Sequence, residues 1–279
     1  MEALKYFSFR VGQFICLCFN DGGGPRTAAA FLPSAPREEL ETIVLAQNFD
    51  PQALDFAIKP ILIRRDNDDQ LILVDTGVAG LTSTLTYDLL EHGVALDEIS
   101  LVVITHGHGD HVNGILGSEG EFVYPNARYV LWRDEWDYWT APDRFASTDT
   151  GQAARVWRTL NAYPDHVRLL DSSDTEIVSG IRAVPVPGHT VGQIAIEIDS
   201  DGERFIHVAD VAHHPFQLAC PQWSPEFDTD KTQASETRRA VFQRVASDGL
   251  LFSAYHFPFP GVGHIVEQDG VLQWQPVQV

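Results

Sequence analysis

The sequence predicts an α/β sandwich in which helices lie outside two sheets. Two observations indicate this fold class: apolar runs of strand length recur along the chain, and stretches with helical spacing lie between them in both halves. A third observation is the lack of any internal repeat or long linker in the 279 residues. With a hydrophobic fraction of 44%, we expect one domain over residues 1–279.

The N-terminal part contains one clear strand pattern. Residues 6–19 alternate in polarity and predict a single strand, which the Asp-Gly-Gly-Gly-Pro segment at 21–25 ends. Residues 26–54 mix proline, alanine and glutamate without a clear period. They predict an irregular arm with one short helix.

The next part predicts a hairpin, a helix and a buried strand. Residues 58–63 and 71–74 are strand-like runs around a polar turn. A helix follows, because three leucines recur at helical spacing: Leu81, Leu85 and Leu89. Residues 101–104 form a continuous apolar run, which is typical of a strand that is buried on both faces.

The C-terminal half repeats the alternation of strands and helices. Residues 128–170 mix short apolar runs with helical stretches that are rich in tryptophan. One clear helix is predicted over residues 232–247. Four further strands are predicted at residues 181–186, 194–198, 205–208 and 250–254.

Composition limits the partners and the compartment. With 39 acidic and 19 basic residues the formal charge is −20, which repels phosphate backbones and anionic lipid. We therefore expect a small-molecule substrate, no nucleic acid and no membrane. No apolar run reaches the roughly 18 residues of a membrane span, and the N-terminus lacks the features of a secretory signal, so a cytoplasmic protein is expected. The sequence leaves the oligomeric state open, with a homodimer among the options.

The three cysteines do not predict a disulfide framework, because their number is odd and their spacing irregular. Cys16 and Cys18 lie two residues apart in an apolar run, so a strand would place them on the same face. We interpret them as small buried apolar residues rather than metal ligands.

The strongest chemical signal is the segment Thr-His-Gly-His-Gly-Asp-His at residues 105–111, directly after a predicted buried strand. Gly107 and Gly109 let the backbone fold tightly enough for ligand side chains to converge. Imidazole and carboxylate groups together suit zinc, and also iron or manganese. A solvated histidine-rich loop is the alternative, but eleven histidines in 279 residues seldom cluster this closely. The ligand-type residues of the segment are His106, His108, Asp110 and His111.

His-x-His-x-Asp-His after an apolar strand resembles the signature of the metallo-β-lactamase superfamily. Four further segments resemble other parts of that family in the expected order: residues 73–77, 187–190, 209–210 and 255–256. The resemblance covers residues 56–264 and implies an αββα sandwich of two mixed sheets with helices on the outer faces. It also implies a catalytic core in 56–279, preceded by the N-terminal strand and arm of 1–54.

The same resemblance implies two divalent metal ions, most simply zinc, with iron and manganese as alternatives. One ion would be bound by His106, His108 and His189. The other would be bound by Asp110, His111 and His256. A lone histidine such as His189 is more often a core or surface residue, but its position after a predicted strand favours the ligand role.

Asp210 would bridge the two ions, and Asp110 would bind one of them. The resemblance implies both as catalytic residues. Asp75 would support the metal-binding loop, or alternatively cap a turn. Two metals about 3.5–4 Å apart can share a water, lower its pKa and polarise the substrate oxygen. A metal-bridging hydroxide would then be the nucleophile. The chain shows no Gly-x-Ser-x-Gly motif for a serine nucleophile.

The C-terminal third resembles the branch that contains methyl parathion hydrolase and lactonase-like relatives. The segments concerned are residues 210–215, 221–223, 227–230, 237–239 and 256–264. In quorum-quenching lactonases a tyrosine lies three residues after the bridging aspartate, where this chain has His213. His213 is thus a candidate catalytic residue that donates a proton to the substrate oxygen or contacts it, with a supporting or turn residue as the equal alternative. His264 either forms a hydrogen bond to a bound ligand, as a supporting residue beside the metal ligands, or closes the final loop.

The predicted function is hydrolysis of a small ester-like bond, a lactone first, with aryl ester or phosphotriester turnover as a side activity. One alternative is β-lactam cleavage, which the ending at residues 256–260 does not favour. The other is a single-iron oxygenase of the same fold, which metal analysis would distinguish. Phe257, Phe259 and the tryptophans of 132–139 either line an apolar pocket or belong to the core.

Overall fold

The computed structural model describes residues 4–66, 68–80, 83–146 and 148–278. The strands in these ranges are β1 (Tyr6–Val11), β2 (Phe14–Phe19), β3 (Gly23–Arg26), β4 (Leu54–Ala57), β5 (Ile61–Arg65), β6 (Leu71–Val74), β7 (Ile99–Val103), β8 (Arg128–Trp132), β9 (Val167–Leu170), β10 (Glu176–Val178), β11 (Ile181–Pro185), β12 (Ile194–Ser200), β13 (Glu203–His207), β14 (Leu251–Ser253), β15 (Val262–Gln268) and β16 (Val271–Pro276). The helices are α1 (Ala28–Phe31), α2 (Arg37–Ala46), α3 (Leu85–Glu91), α4 (Gly109–Val112), α5 (Arg133–Thr140), α6 (Gln152–Ala162) and α7 (Lys231–Asp248).

Two seven-stranded sheets dominate the fold. The first has the spatial order β1-β2-β5-β6-β7-β8-β9, and its strands from β6 onward pair in parallel. The second runs from β10 to β16 in chain order, with β13 and β14 as its parallel pair. Strands β3 and β4 form a separate two-stranded ribbon. Both large sheets are mixed, as the predicted fold class requires.

The cores form layers on either side of each sheet. On β5, Ile61 and Ile63 pack between the two sheets, while Leu62 between them packs against the outer helices α3 and α6. This reversal from one residue to the next follows from the period of two in a strand. Helix α7 covers the outer face of the second sheet through Phe242 and Val245. The order helix, sheet, sheet, helix confirms the predicted sandwich.

Two predictions about the N-terminal part were wrong in detail. Residues 6–19 form a hairpin of β1 and β2 rather than one strand, because Gly12 turns the chain at a φ of 55°. The arm of residues 26–54 is not irregular, since it contains α1 and α2 and ends in β4. Apolar side chains of the arm, including Phe31 and Val44, form a small core of their own with Phe216.

The other predicted elements agree with the structure. Residues 58–74 contain the antiparallel pair β5 and β6, and the predicted helix over 232–247 is α7. Leu81 lies outside the described residues, and the helix predicted from it is described from Leu85 onward. Cys16 and Cys18 are free and buried between the sheets, as predicted. Across the described ranges, no helix is long and apolar enough to cross a membrane.

Candidate metal centre

The predicted ligands come from loops that follow four different strands. Residues 106–111 follow β7, and His189 follows β11. Asp210 comes after β13 and His256 after β14. Strands β11, β13 and β14 run in the same direction, so that their carboxyl ends share one edge of the second sheet. Side chains that are far apart in sequence therefore meet at this edge.

Three histidines form the first group of converging ligand atoms. Nδ1 of His108 lies 3.2 Å from Nε2 of His106 and 2.9 Å from Nε2 of His189. The three nitrogens all lie within 4.8 Å of one another, a separation that one metal ion can span.

A second group faces the first. Nε2 of His256 lies 3.3 Å from Oδ2 of Asp110, and Nε2 of His111 lies 3.9 Å from Oδ1 of Asp110. These ligand atoms also lie within 4.8 Å of one another. The two groups correspond to the two ligand sets that the resemblance implies.

Asp210 lies between the two groups. Its Oδ2 is 3.4 Å from Nε2 of His189 and 3.1 Å from Nε2 of His256. Its Oδ1 is 3.4 Å from Nε2 of His111. Oδ2 of Asp210 thus lies close to imidazoles of both groups, which is the position that a ligand shared by two metal ions would take.

The charges of the cluster separate its members into neutral and ionised groups. Burial holds the pKa of His106 well below its usual range, and burial together with repulsion from His189 lowers that of His108 to about 3. Burial disfavours the carboxylate of Asp210, but the charges of His256 and His111 outweigh it and hold its pKa well below the usual range. Burial also opposes protonation of His256, yet the carboxylates of Asp210 and Asp110 raise its pKa to about 9.

These groups fit a pair of divalent cations. Neutral imidazole and ionised carboxylate are the forms that bind a metal, and His106, His108 and Asp210 already have these forms. A cation at the second group would displace the proton of His256. Nε2 of His111 and Oδ1 of Asp210 are buried and make no hydrogen bond within the protein. Such buried atoms without a partner are rare, and a bound cation would satisfy both.

Hydrogen bonds on the far side of the rings orient three of the histidines. Nδ1 of His111 is 2.8 Å from Oδ2 of Asp75, which also accepts from the Thr105 hydroxyl at 2.8 Å. Nδ1 of His256 is 2.8 Å from the Ala57 carbonyl. With the proton on Nδ1, Nε2 is left free to face the cluster. The structure thus places Asp75 directly behind the loop of residues 105–111.

The third histidine is held by a pair whose role the sequence analysis missed. Nδ1 of His189 is 2.7 Å from Oδ1 of Asp228, and Nη2 of Arg238 donates to Oδ2 of Asp228 at 3.1 Å. Both side chains of this ion pair are fully buried. Asp228 and Arg238 belong to segments that resembled one branch of the family, but residue type alone did not show which of them would contact His189.

Glu135 on α5 is a further buried group that the sequence did not single out. Its Oε1 accepts from the Gly107 amide at 2.8 Å, and its Oε2 accepts from the Thr190 hydroxyl and the Gly192 amide at 2.8 Å each. One carboxylate thereby joins the loop of residues 105–111 to the loop that contains His189.

His213 lies at the cluster. Its Nε2 is 3.3 Å from Oδ2 of Asp210, and its ring stacks on that of His256 at a centroid distance of 5.2 Å. Both ring nitrogens of His213 are buried without a hydrogen-bond partner. Burial lowers its pKa to about 4 despite the nearby Asp210 carboxylate, so the neutral ring carries one N–H.

His264 lies away from the cluster, on β15. Its Nδ1 is 3.1 Å from the carbonyl of Leu250, and its side chain does not line the cleft at the metal centre. A contact between His264 and a bound ligand stays a prediction.

The cluster opens into a cleft of about 570 Å³. His108, Asp110 and Asp210 line it on the metal side. The aromatic residues that line it are Phe31, Phe56 and Phe227. Phe31 and Phe56 come from the N-terminal arm and its closing strand, which the sequence did not connect with the site.

The aromatic residues for which the sequence left open a place in the cleft or in the core pack with the cores. Phe257 is buried beneath α7, and Trp132 is buried between the sheets. Trp139 packs against α6 through a stacked contact with Trp157 at 5.9 Å. Phe259 packs against the core between the sheets.

The sequence model of the metallo-beta-lactamase superfamily matches residues 56–256 of this chain. The chain belongs to the metallo-beta-lactamase superfamily. As a member of this superfamily it is a metal-dependent hydrolase. A probable metallo-hydrolase of Mycobacterium tuberculosis, Rv2300c, is 22% identical over 236 residues, which cover 69% of this chain and 73% of that protein.

Solved structures of the superfamily share the fold of this chain. AidC, described as a dizinc quorum-quenching lactonase in complex with a product, has a TM-score of 0.86 and 24% identity, with 98% of each chain covered. The hydrolase AbOPH has a TM-score of 0.87 and 24% identity, with 100% of this chain and 99% of that chain covered. An N-acyl homoserine lactone lactonase has a TM-score of 0.62 at 14% identity, with 92% of this chain and 100% of that chain covered.

Proposed function

We propose that this superfamily member is a two-metal hydrolase of small ester-like substrates, with lactones as the preferred class. The observation that carries the proposal is the position of Asp210 between two groups of ligand atoms, next to an aromatic-lined cleft. The dizinc lactonase AidC, which shares the fold over nearly the whole chain, supports the choice of zinc and of lactones.

The proposed ligand sets are His106, His108 and His189 for one zinc ion, and Asp110, His111 and His256 for the other. Asp210 is the proposed shared ligand. Two such ions would supply Lewis acidity, which lowers the pKa of a water and polarises the substrate oxygen.

The protein itself would orient the ligands and the substrate. Asp228, Asp75 and the Ala57 carbonyl hold the imidazoles in the tautomer that exposes Nε2. His213 would donate its ring N–H to an oxygen of the substrate, since neither of its ring nitrogens has a partner in the protein. A donor that is aimed at developing negative charge in a cleft with little water stabilises the transition state.

The aromatic side of the cleft favours substrates with an apolar part. Phe31 and Phe56 are buried, with their ring centroids 4.9 Å apart, and Phe227 is 42% exposed at the cleft. An acyl chain or an aryl ring that packs against them would be shielded from water. Aryl esters and phosphotriesters therefore remain the proposed side activities.

The test is a substrate panel combined with metal analysis of the purified protein. The panel contains lactones of graded acyl length, aryl esters, phosphotriesters and a β-lactam. We expect two zinc ions per chain, the highest kcat/KM for lactones, and loss of activity after chelation that added zinc restores. One iron per chain with oxygen consumption would replace the proposal by the oxygenase alternative, and turnover of the β-lactam alone would replace it by β-lactam hydrolysis. Single-domain organisation and a cytoplasmic location stay predictions, and the oligomeric state stays open, with a homodimer among the options.

A further inference from the structure

Lys59 is a fully buried amine that the proposed chemistry does not use. It has 0% exposure, and its Nζ donates to the Phe257 carbonyl at 2.7 Å. The ion pairs found in the described ranges that involve lysine belong to Lys5 and Lys231, so Lys59 has no carboxylate partner there. An unpaired ammonium group is costly to bury. Its presence inside the fold therefore calls for a physical reason.

Lys59 contacts the residue next to His256, which is the last of the proposed metal ligands along the chain. Phe257, whose carbonyl accepts from Lys59, directly follows His256. Two residues before Lys59, the Ala57 carbonyl accepts from Nδ1 of His256 at 2.8 Å, and the Ala57 amide donates to the His256 carbonyl at 3.2 Å. Residues 57–59 thus hold His256 and its neighbour at three points.

Gly261 provides the space that Lys59 occupies. A Cβ atom at position 261 would lie 1.6 Å from Nζ of Lys59, which no side chain can do without displacing the lysine. Gly261 also has a φ of 62°, in the left-handed region. The lysine amine therefore contacts the loop of residues 257–261 at both of its ends.

We infer that Lys59 is a positioning residue that fixes the loop after β14, so that Nε2 of His256 faces Asp110 and Asp210 at 3.3 and 3.1 Å. This inference rests on the metal-binding role proposed for His256. A charged donor suits the task, because its hydrogen bond to a carbonyl is stronger than that of a neutral donor. The backbone on both sides of the imidazole is then held before a metal binds.

The first test replaces Lys59 by methionine, which has a similar length and no donor. Both zinc dissociation constants are measured by competition with a chelator, and Tm is measured with and without zinc. We expect the zinc dissociation constant of one site, the one that contains His256, to rise about 10–100-fold, as is usual when a group that orients a ligand is removed. The zinc dissociation constant of the other site should rise less, because that site shares only Asp210 with the site that contains His256. A role in folding alone would lower Tm and leave both constants unchanged, and that result would refute the inference.

A second pair of variants distinguishes the effect of displacing Lys59 from the effect of backbone strain. Gly261→Ala would displace Lys59, and Gly249→Ala is the matched control, because Gly249 has a φ of 64° with no atom within 4 Å of its Cβ position. Both variants carry the strain of a left-handed alanine. We expect Gly261→Ala to weaken the same zinc site as Lys59→Met, whereas Gly249→Ala should lower Tm only.

The outcomes separate the inference from the function on which it rests. Wild-type protein that binds one zinc ion would refute the two-ion proposal and the inference with it. The other outcome is wild-type protein that binds two zinc ions while the Gly261→Ala and Gly249→Ala variants have the same zinc dissociation constants. That result would refute only the positioning role of Lys59.

Discussion

The buried pair of Asp228 and Arg238 permits a quantitative prediction. Asp228→Ala removes the acceptor of His189 at 2.7 Å and leaves the Arg238 guanidinium buried without its counterion. Loss of one partner from a buried ion pair costs about 3–5 kcal/mol of unfolding free energy. Arg238 keeps hydrogen bonds to three backbone carbonyls, which favours the lower end of that range, about 3 kcal/mol. These carbonyls belong to Val211, Pro221 and Trp223.

The same substitution should weaken metal binding at one site. Without Asp228, Nδ1 of His189 loses the group that fixes its tautomer, and the zinc affinity of the site that contains His189 should fall about 10–100-fold. Urea unfolding of the metal-free protein measures the loss of unfolding free energy, and chelator competition measures the loss of zinc affinity. The two measurements are independent, because the first contains no metal.

Asp230→Ala is the matched control for this prediction. Asp230 precedes α7, and its Oδ1 accepts from the Gln233 amide at 2.9 Å as a helix cap. Removing such a cap costs about 1 kcal/mol, and no proposed ligand contacts this side chain. If Asp228→Ala costs no more than Asp230→Ala, or leaves both zinc affinities unchanged, the assignment of Asp228 as the support of His189 is wrong.

Three further predictions concern the cluster and the cleft. Asp210→Asn should lower the zinc content and reduce turnover by orders of magnitude, since an amide does not bridge two cations as a carboxylate does. An active variant that holds two zinc ions by elemental analysis would contradict this prediction. His213→Ala should reduce kcat about a hundredfold with the zinc content unchanged, whereas a fall in Tm or zinc content at normal specific activity would make it a structural residue. Phe227→Ala should lower the preference of kcat/KM for long-chain over short-chain lactones about fivefold, the equivalent of roughly 1 kcal/mol of lost apolar contact; an unchanged preference would exclude Phe227 from the acyl side of the cleft.

The sequence by itself determined the fold class and predicted which residues converge at the candidate metal centre. Apolar runs such as residues 101–104 predict buried strands because strand burial depends on local hydrophobicity. The segment at 105–111 predicts a metal site because its four ligand-type side chains lie on one short loop after such a strand. His189, Asp210 and His256 followed from their order along the chain in the family pattern, and the structure brings them to the same cluster.

Only the tertiary structure decided which groups surround those ligands. The contact of Asp228 with His189 and that of Lys59 with Phe257 join residues 39 and 198 positions apart, and no local pattern encodes such a pairing. The sequence left open which aromatic residues line the cleft for the same reason. An aromatic side chain is apolar whether it lies in a core, as Phe257 does, or at a cleft, as Phe31 does, and its place depends on how the arm folds back over the sheets. Sequence patterns therefore predict the proposed ligands, while packing between distant segments decides their orientation and the shape of the cleft.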